Sequence, residues 1–93
     1  RGHRIELGEI EAALYKHPDV REAATVAIEG PDGVVIKAFL SPKGETRPSI
    51  IALKQFCMRN LPAYMVPDRF AFLPDLPRTS TDKVDYQGLV KLA

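Results

Sequence analysis

The sequence predicts a small α+β domain, in which a three-stranded sheet has helices packed on it. Three observations support this prediction. Segments with apolar residues at helical spacing alternate with shorter segments rich in β-branched and aromatic residues. The eight prolines lie between these segments and not inside them. Finally, 93 residues with 45% hydrophobic and 27% charged side chains suffice for one domain with a single modest core.

A first helix is expected over residues 7–17. Its apolar face consists of Leu7, Ile10, Ala13 and Leu14. Glu9 and Glu11 fall in the first turns, where the helix dipole favours negative charge. The helix should end before Pro18, because the residue that precedes a proline avoids the helical conformation.

Residues 20–29 and 34–40 are expected to form an antiparallel β-hairpin. In the first strand, Ala24, Val26 and Ile28 alternate with Thr25 and Ala27. The Gly-Pro-Asp-Gly segment at residues 30–33 is typical of a turn, and we expect a loop of four or five residues. Both faces of the pair carry apolar residues, so helices should cover at least one of them.

A second helix is expected to begin after Ser49, a good N-cap residue, and to run to about Asn60. Its predicted apolar stripe consists of Ile50, Leu53, Phe56, Cys57 and Leu61. The break at Leu61-Pro62 should separate this helix from the rest of the chain.

A third, short strand is expected over residues 69–73, with Phe70 and Phe72 on one side. Residues 74–82 have neither a helical nor a strand pattern. Asp85 can then cap a last short helix. The predicted order is helix, strand, strand, helix, strand, loop, helix.

Composition and charge exclude several classes of protein. No apolar run approaches the ~20 residues that cross a bilayer, and no segment resembles a secretion signal. Thirteen Lys and Arg against 12 Asp and Glu give a net charge of +1, whereas an obligate nucleic-acid binder usually carries a basic excess. We therefore expect neither a membrane nor a nucleic acid as a partner. The single cysteine, Cys57, cannot form an internal disulfide, which fits a reducing, cytoplasmic location.

None of the common catalytic motifs for serine hydrolases, P-loops, paired cysteines or zinc proteases is present. Cys57 lies on the apolar side of a predicted helix, so we expect a buried structural thiol and not a nucleophile. His3 and His17 lie far apart and have no cysteine partner, so no metal site is expected.

Lys83 is the first candidate functional residue. It follows a stretch without regular structure that contains three consecutive hydroxyl residues. A lysine on such a loop suits the binding of phosphate or carboxylate oxygens, because its ammonium group is a mobile charge with three donors. The alternatives are a solvated lysine or a surface ion pair with Asp82 or Asp85.

The N-terminal residues form a second candidate site, with Arg1, Arg4 and Glu6 around Gly2. A glycine here permits close approach of another group, although a simple polar segment that leads into the helix is the alternative. The chain also begins without a methionine and enters a helical pattern directly. We therefore expect the sequence to be a piece of a longer polypeptide.

Three segments share a resemblance to one known family. They are RGHRIELGEIE at residues 1–11, LPAYMVP at residues 61–67 and TSTDKVD at residues 79–85. In this order and spacing they resemble the C-terminal subdomain of the adenylate-forming enzymes, which include nonribosomal peptide synthetase adenylation domains, acyl-CoA synthetases and luciferases. The residues of these three motifs are most similar to those of amino-acid-activating adenylation domains. The resemblance implies that residues 1–93 are the C-terminal lid, hinged to a large N-terminal subdomain.

The resemblance also implies an activity. Members of this family use ATP to convert a carboxylic acid into an acyl-adenylate and pyrophosphate. Most then transfer the acyl group to a thiol of coenzyme A or of a carrier protein's phosphopantetheine arm. The large subdomain binds most of the ATP, its Mg²⁺ and the acid, and the lid rotates between the two steps. The isolated 93-residue chain is therefore expected to be inactive.

The resemblance also implies roles for individual residues, which are assigned from the positions that match the family's motifs. Lys83 matches the family's invariant lysine of the adenylation step. Gly2 matches a glycine beside the pantetheine tunnel, and Arg1 and Arg4 would contact polar or phosphate groups on that face. The residue before the lysine departs from the pattern, because Asp82 stands where the family usually has glycine.

The remaining matches imply structural roles. Tyr64, Met65 and Val66 are expected to pack under the lysine loop. Two other interpretations stay open: a lid of an acyl-CoA synthetase that uses coenzyme A, and a non-catalytic interaction module with the same fold.

Overall fold

The computed structural model describes residues 4–93 and has the predicted order of elements. The helices and strands are α1 (Leu7–Tyr15), β1 (Val20–Gly30), β2 (Gly33–Pro42), α2 (Ile50–Asn60), β3 (Arg69–Phe72) and α3 (Tyr86–Leu92). The predicted α+β class is confirmed. One short 3₁₀ helix, Ala63–Met65, lies in the segment between α2 and β3 and was not predicted.

The sheet has the strand order β1-β2-β3, so β2 is central and β1 and β3 are its edges. β1 and β2 pair antiparallel, whereas β2 and β3 pair parallel through the connection that contains α2. Gly30 pairs with Gly33, so the hairpin loop has only two residues and the predicted loop of four or five is wrong. The tighter turn is possible because Gly33 adopts a φ of 121°, which other residues rarely reach.

Two apolar clusters lie on the two faces of the sheet. The first lies under α1 and α2, and it contains Ile10, Leu14, Val20, Ala23, Ile36, Ala38, Leu40, Leu53, Cys57, Met65 and Phe70. The second lies under α3 and the segment after β3, and it contains Ala24, Val26, Phe39, Leu76 and Leu89. Because strand side chains alternate between faces, Ala38 and Leu40 belong to the first cluster while Phe39 belongs to the second.

Both predicted helix caps are confirmed. Ser49 Oγ accepts a hydrogen bond from the Ala52 amide at 3.0 Å, and Asp85 Oδ1 accepts one from the Gly88 amide at 3.0 Å. These caps satisfy amide groups that have no partner within their own helices. The longest helix in residues 4–93 has 11 residues, and none is long and apolar enough to cross a membrane.

Two details of the predicted packing are wrong. Ile50 is exposed and does not belong to the buried stripe of α2, which consists of Leu53 and Cys57. Met65 and Val66 pack in the first cluster, whereas Val84, which follows Lys83, packs against the second. The segment at residues 61–67 therefore supports the face with α1 and α2 and does not lie under the lysine loop.

Candidate functional site

Lys83 lies in a short, closed turn that we call the Lys83 hairpin, residues 78–84. Its two ends, Arg78 and Val84, form an antiparallel bridge. Inside it, the Asp82 amide donates to the Thr79 carbonyl oxygen at 2.9 Å, and the Thr79 amide donates to the Lys83 carbonyl oxygen at 2.7 Å. The sequence predicted an irregular stretch here, but backbone hydrogen bonds fix its shape.

Asp82 has a φ of 65° and is the only non-glycine residue with a positive φ in residues 4–93. A three-residue hairpin loop commonly places one residue in this left-handed conformation, and glycine is the usual choice. Aspartate is among the few other residues that tolerate it. Asp82 thus adopts in this chain a backbone conformation for which glycine is the usual residue.

The hydroxyl groups of the hairpin stabilise the turn itself. Thr79 Oγ1 accepts a hydrogen bond from the Lys83 amide at 3.2 Å. The hydroxyls of Thr79 and Thr81 lie 3.1 Å apart and hydrogen bond to each other. These groups position Lys83 from within the loop.

The ammonium group of Lys83 is exposed and forms no ion pair or hydrogen bond with any residue of the described chain. The two neighbouring carboxylates do not neutralise it, and Asp85 is occupied by the cap of α3. The ion pair with Asp82 or Asp85 that the sequence left open is therefore not formed. An exposed charge on a fixed turn is suited to contact an anionic group brought from outside this domain.

Side chains that the motifs did not identify attach the hairpin to the sheet. The Arg78 guanidinium forms an ion pair with the Glu22 carboxylate on β1. The segment just before the hairpin is attached to β1 as well. The Arg21 guanidinium, on β1, donates to the Pro74 carbonyl oxygen at 2.7 Å and forms an ion pair with Asp75 at 3.1 Å. The sequence contains no signal for these pairs, because the partners are distant along the chain.

The N-terminal candidate site is described only in part. Arg1 and Gly2 lie outside the described residues, so their roles stay predictions. The Arg4 side chain is 87% exposed, and its Nε lies 2.6 Å from Glu6 Oε2. Arg4 is thus available at the surface, although a phosphate would compete with Glu6 for it.

Cys57 is fully buried between α2 and the sheet, as its place on the apolar side of the helix predicted. Burial removes water from the thiol and raises its pKa from 9.0 to about 11. The thiol therefore stays protonated at neutral pH, which excludes it as a nucleophile in the folded domain.

We expect the folded protein to resist thiol-modifying reagents. The raised pKa alone lowers the thiolate fraction of Cys57 about 100-fold at neutral pH, and burial slows access further. The rate of maleimide labelling, followed by mass spectrometry with and without denaturant, measures this protection. Rapid, complete labelling of the native protein would contradict the buried position.

The described residues provide no other obvious site. No group of three His, Cys, Asp or Glu side chains in residues 4–93 is arranged to hold a metal ion. A surface cavity of about 330 Å³ lies between the loop after β2 and the end of β3, where the Arg47 guanidinium stacks 5.0 Å from the Phe72 ring. No residue of the Lys83 hairpin lines this cavity.

Comparison with known proteins identifies the class. The AMP-binding enzyme C-terminal domain family matches residues 9–83, so the chain belongs to this family. It is the C-terminal subdomain type found in adenylate-forming enzymes, and the predicted resemblance is confirmed.

Two relatives illustrate the similarity in sequence. Chondramide synthase cmdD of Chondromyces crocatus is 43% identical over 90 residues, which cover 96% of this chain and 2% of that protein. The L-proline--[L-prolyl-carrier protein] ligase of Streptomyces coelicolor is 40% identical over 89 residues, which cover 95% of this chain and 17% of that protein. The chain thus spans only a small part of these relatives.

Solved structures share the fold. The amide bond synthetase McbA of Marinactinospora thermotolerans superposes with a TM-score of 0.90 at 28% identity, covering 95% of this chain and 18% of that one. The anthranilate CoA ligase AuaEII superposes with a TM-score of 0.87 at 30% identity, and the match covers 99% of this chain and 19% of that protein. Both are much longer than the present chain.

Proposed function

We propose that residues 1–93 are the mobile lid of an ATP-dependent ligase that converts a carboxylic acid into an acyl-adenylate, and that this acid is an amino acid, by similarity to the relatives of the chain. The ligase then transfers the acyl group to the phosphopantetheine thiol of a carrier protein. The observation that carries this proposal is Lys83, whose exposed ammonium group has no partner among residues 4–93 and lies on a hydrogen-bonded turn. The match of residues 9–83 to the family supports it.

Lys83 would act in the adenylation step. The carboxylate of the acid attacks the α-phosphate of ATP, and two anions must approach each other. An ammonium group that reaches both offsets their repulsion and the charge that develops in the transition state. Because Lys83 lies on the lid, it would reach the substrates only when the lid closes on the large subdomain.

The N-terminal face would act in the second step. Gly2 would leave room for the pantetheine arm because it has no side chain. Arg1 and Arg4 would contact polar or phosphate groups of the arm. For Arg4 this requires an exchange of the ion pair with Glu6, which costs little at a surface position.

The remaining components would come from outside this chain. The large N-terminal subdomain would bind ATP, its Mg²⁺ and the acid, since the described residues offer no metal cluster and the cavity near Phe72 lies apart from the Lys83 hairpin. A peptidyl or acyl carrier protein would provide the acceptor thiol. The name of the Streptomyces coelicolor relative, a ligase for a prolyl-carrier protein, supports this partner.

A second candidate is a lid of an acyl-CoA synthetase. The similarity in structure to the anthranilate CoA ligase AuaEII favours it. The two candidates share the adenylation chemistry of Lys83 and differ in the acceptor, coenzyme A or a carrier protein. A non-catalytic interaction module with this fold would catalyse no adenylation and would use neither acceptor.

The complete protein that contains this chain provides the test. Acid-dependent exchange of labelled pyrophosphate into ATP, measured with a panel of amino and aryl acids, detects adenylation. Transfer of the activated acid to a phosphopantetheinylated carrier protein or to coenzyme A then identifies the acceptor. Absence of exchange with every acid would favour the interaction module.

We expect the isolated 93-residue chain to form no acyl-adenylate. It supplies Lys83 and the N-terminal face, whereas the ATP and acid sites are assigned to the large N-terminal subdomain. Pyrophosphate exchange with the purified chain, compared with the complete protein at equal concentration, measures this. Exchange above the level without protein would refute the division of roles between the two subdomains.

A further inference from the structure

A carboxylate from α1 accepts hydrogen bonds from the free edge of the sheet. The Thr25 amide, on edge strand β1, donates to Glu11 Oε2 at 2.8 Å, and the Thr25 hydroxyl lies 3.4 Å from the same oxygen. An edge strand leaves every second amide without a strand partner. Glu11 satisfies one of these amides from the face that carries α1 and α2.

A residue from the opposite face reaches the same oxygen. The Tyr86 hydroxyl donates to Glu11 Oε2 at 2.8 Å. Tyr86 is the first residue of α3, which covers the second cluster. We call Glu11, Thr25 and Tyr86 the edge clasp, because together they join the helices of both faces around β1.

The phenol of Tyr86 stays protonated over the physiological pH range. Desolvation, together with the hydrogen bond to Glu11 and its negative charge, raises the pKa of Tyr86 to about 12. The hydroxyl therefore remains a donor to the carboxylate. Hydrogen bonds to a charged acceptor are stronger than those between neutral groups.

Helix α3 has few other attachments. It has 7 residues, and only Leu89 among them is buried. A helix shorter than about 12 residues is marginal on its own, so its position depends on tertiary contacts. The Asp85 cap fixes where α3 begins, and the edge clasp and the buried Leu89 hold the helix against the sheet.

The beginning of α3 is also the end of the lysine loop. Lys83 and Tyr86 are separated by Val84 and Asp85, and the Asp85 amide donates to the Pro77 carbonyl oxygen at 2.8 Å. The other side of the hairpin is attached to β1 through Arg78 and Glu22. The hairpin is therefore held at both ends, by the ion pair of its first residue, Arg78, and by the edge clasp that follows it.

We propose that Glu11 and Tyr86 are positioning residues for Lys83, and that their hydrogen bond fixes the orientation of the Lys83 hairpin during adenylation. This inference rests on the function proposed above. Glu11 and Tyr86 contact neither substrate in this scheme. They act through the backbone that connects α3 to the hairpin.

The test uses Tyr86→Phe in the complete protein, which deletes one oxygen and keeps the ring. We expect the kcat of adenylation, measured by pyrophosphate exchange, to fall about fivefold to tenfold. This is less than the ~100-fold loss that a 1 Å misplacement can cause. The KM values for ATP and acid should stay within about twofold, because Lys83 is assigned to the transition state of adenylation and not to ground-state binding. Transfer from a supplied acyl-adenylate to the acceptor should also stay within about twofold, because Lys83 is not assigned to that step.

The matched control is Tyr15→Phe, which deletes the same atom from a half-exposed tyrosine of α1. The Tyr15 hydroxyl lies close enough to Tyr86 to contribute to its raised pKa, but it forms no hydrogen bond in residues 4–93, so the variant removes a neighbouring oxygen and keeps the clasp. It should leave both steps unchanged. In a Lys83→Ala background, Tyr86→Phe should cause no further loss, because residues that act through one group are not additive.

Two outcomes separate the failure of this inference from the failure of the proposed function. If Lys83→Ala impairs adenylation but Tyr86→Phe does not, or if Tyr86→Phe slows both steps equally, the positioning role is refuted. If Lys83→Ala leaves adenylation intact, the proposed function itself is refuted. Thermal unfolding of each variant shows whether a loss of fold accounts for any decrease.

Discussion

Replacing Lys83 with alanine in the complete protein is expected to lower the rate of acyl-adenylate formation by about 100- to 1000-fold, the range observed when one preorganised transition-state donor is removed. The Lys83 ammonium group is exposed and unpaired within the described chain. Its removal should therefore leave the fold intact, since no ion pair or hydrogen bond within the described residues is lost. Pyrophosphate exchange measures the loss, and thermal unfolding should show an unchanged midpoint.

The second half-reaction distinguishes a catalytic role from a general defect. Transfer from a supplied acyl-adenylate to the acceptor should change little in Lys83→Ala. A matched control is Lys91→Ala, which removes an exposed lysine from the last turn of α3 and should leave adenylation unchanged. Equal losses in the two half-reactions would count against the assignment of Lys83 to adenylation.

Replacing Asp82 with valine is expected to reduce adenylation about 30-fold. Asp82 has a φ of 65°, a conformation that is especially unfavourable for β-branched residues. If valine costs about 2 kcal/mol more than aspartate in this conformation, the competent loop becomes about 30 times less populated. Pyrophosphate exchange with the complete protein measures the effect.

Two further variants separate conformation from charge at this position. Asp82→Gly restores the usual residue of the family and should keep or increase the activity, since glycine adopts a positive φ without strain. Asp82→Asn removes the carboxylate and keeps tolerance of the left-handed region, so it should also remain active. If glycine and valine caused the same loss, the carboxylate itself would be required and the conformational explanation would be wrong.

The main elements follow from local patterns. Ile10, Ala13 and Leu14 share one face of α1 at helical spacing, and all three are buried as predicted. Ser49 and Asp85 cap the helices that follow them, because a cap depends only on residues three or four positions apart. Lys83 was identified in the same way, from a motif contained within a few residues.

Local patterns failed where the outcome depended on a distant partner. Ile50 fits the helical stripe of α2, yet it is exposed in the structure. Met65 and Val66 were expected to pack under the lysine loop, but they pack in the first cluster, whereas Val84 packs against the second. The spacing of residues along the chain does not predict on which face of the sheet a connecting segment will pack.

The sequence by itself determined the α+β class, the two helix caps and most of the buried residues, and it predicted Lys83 as the functional lysine. The tertiary structure alone decided that Asp82 adopts the left-handed conformation, that Glu22 pairs with Arg78, and that Glu11 and Tyr86 meet around the edge of β1. The physical reason is distance along the chain. Hydrophobic periodicity and capping act over a few residues, whereas these pairs form only after the sheet and its helices have packed together.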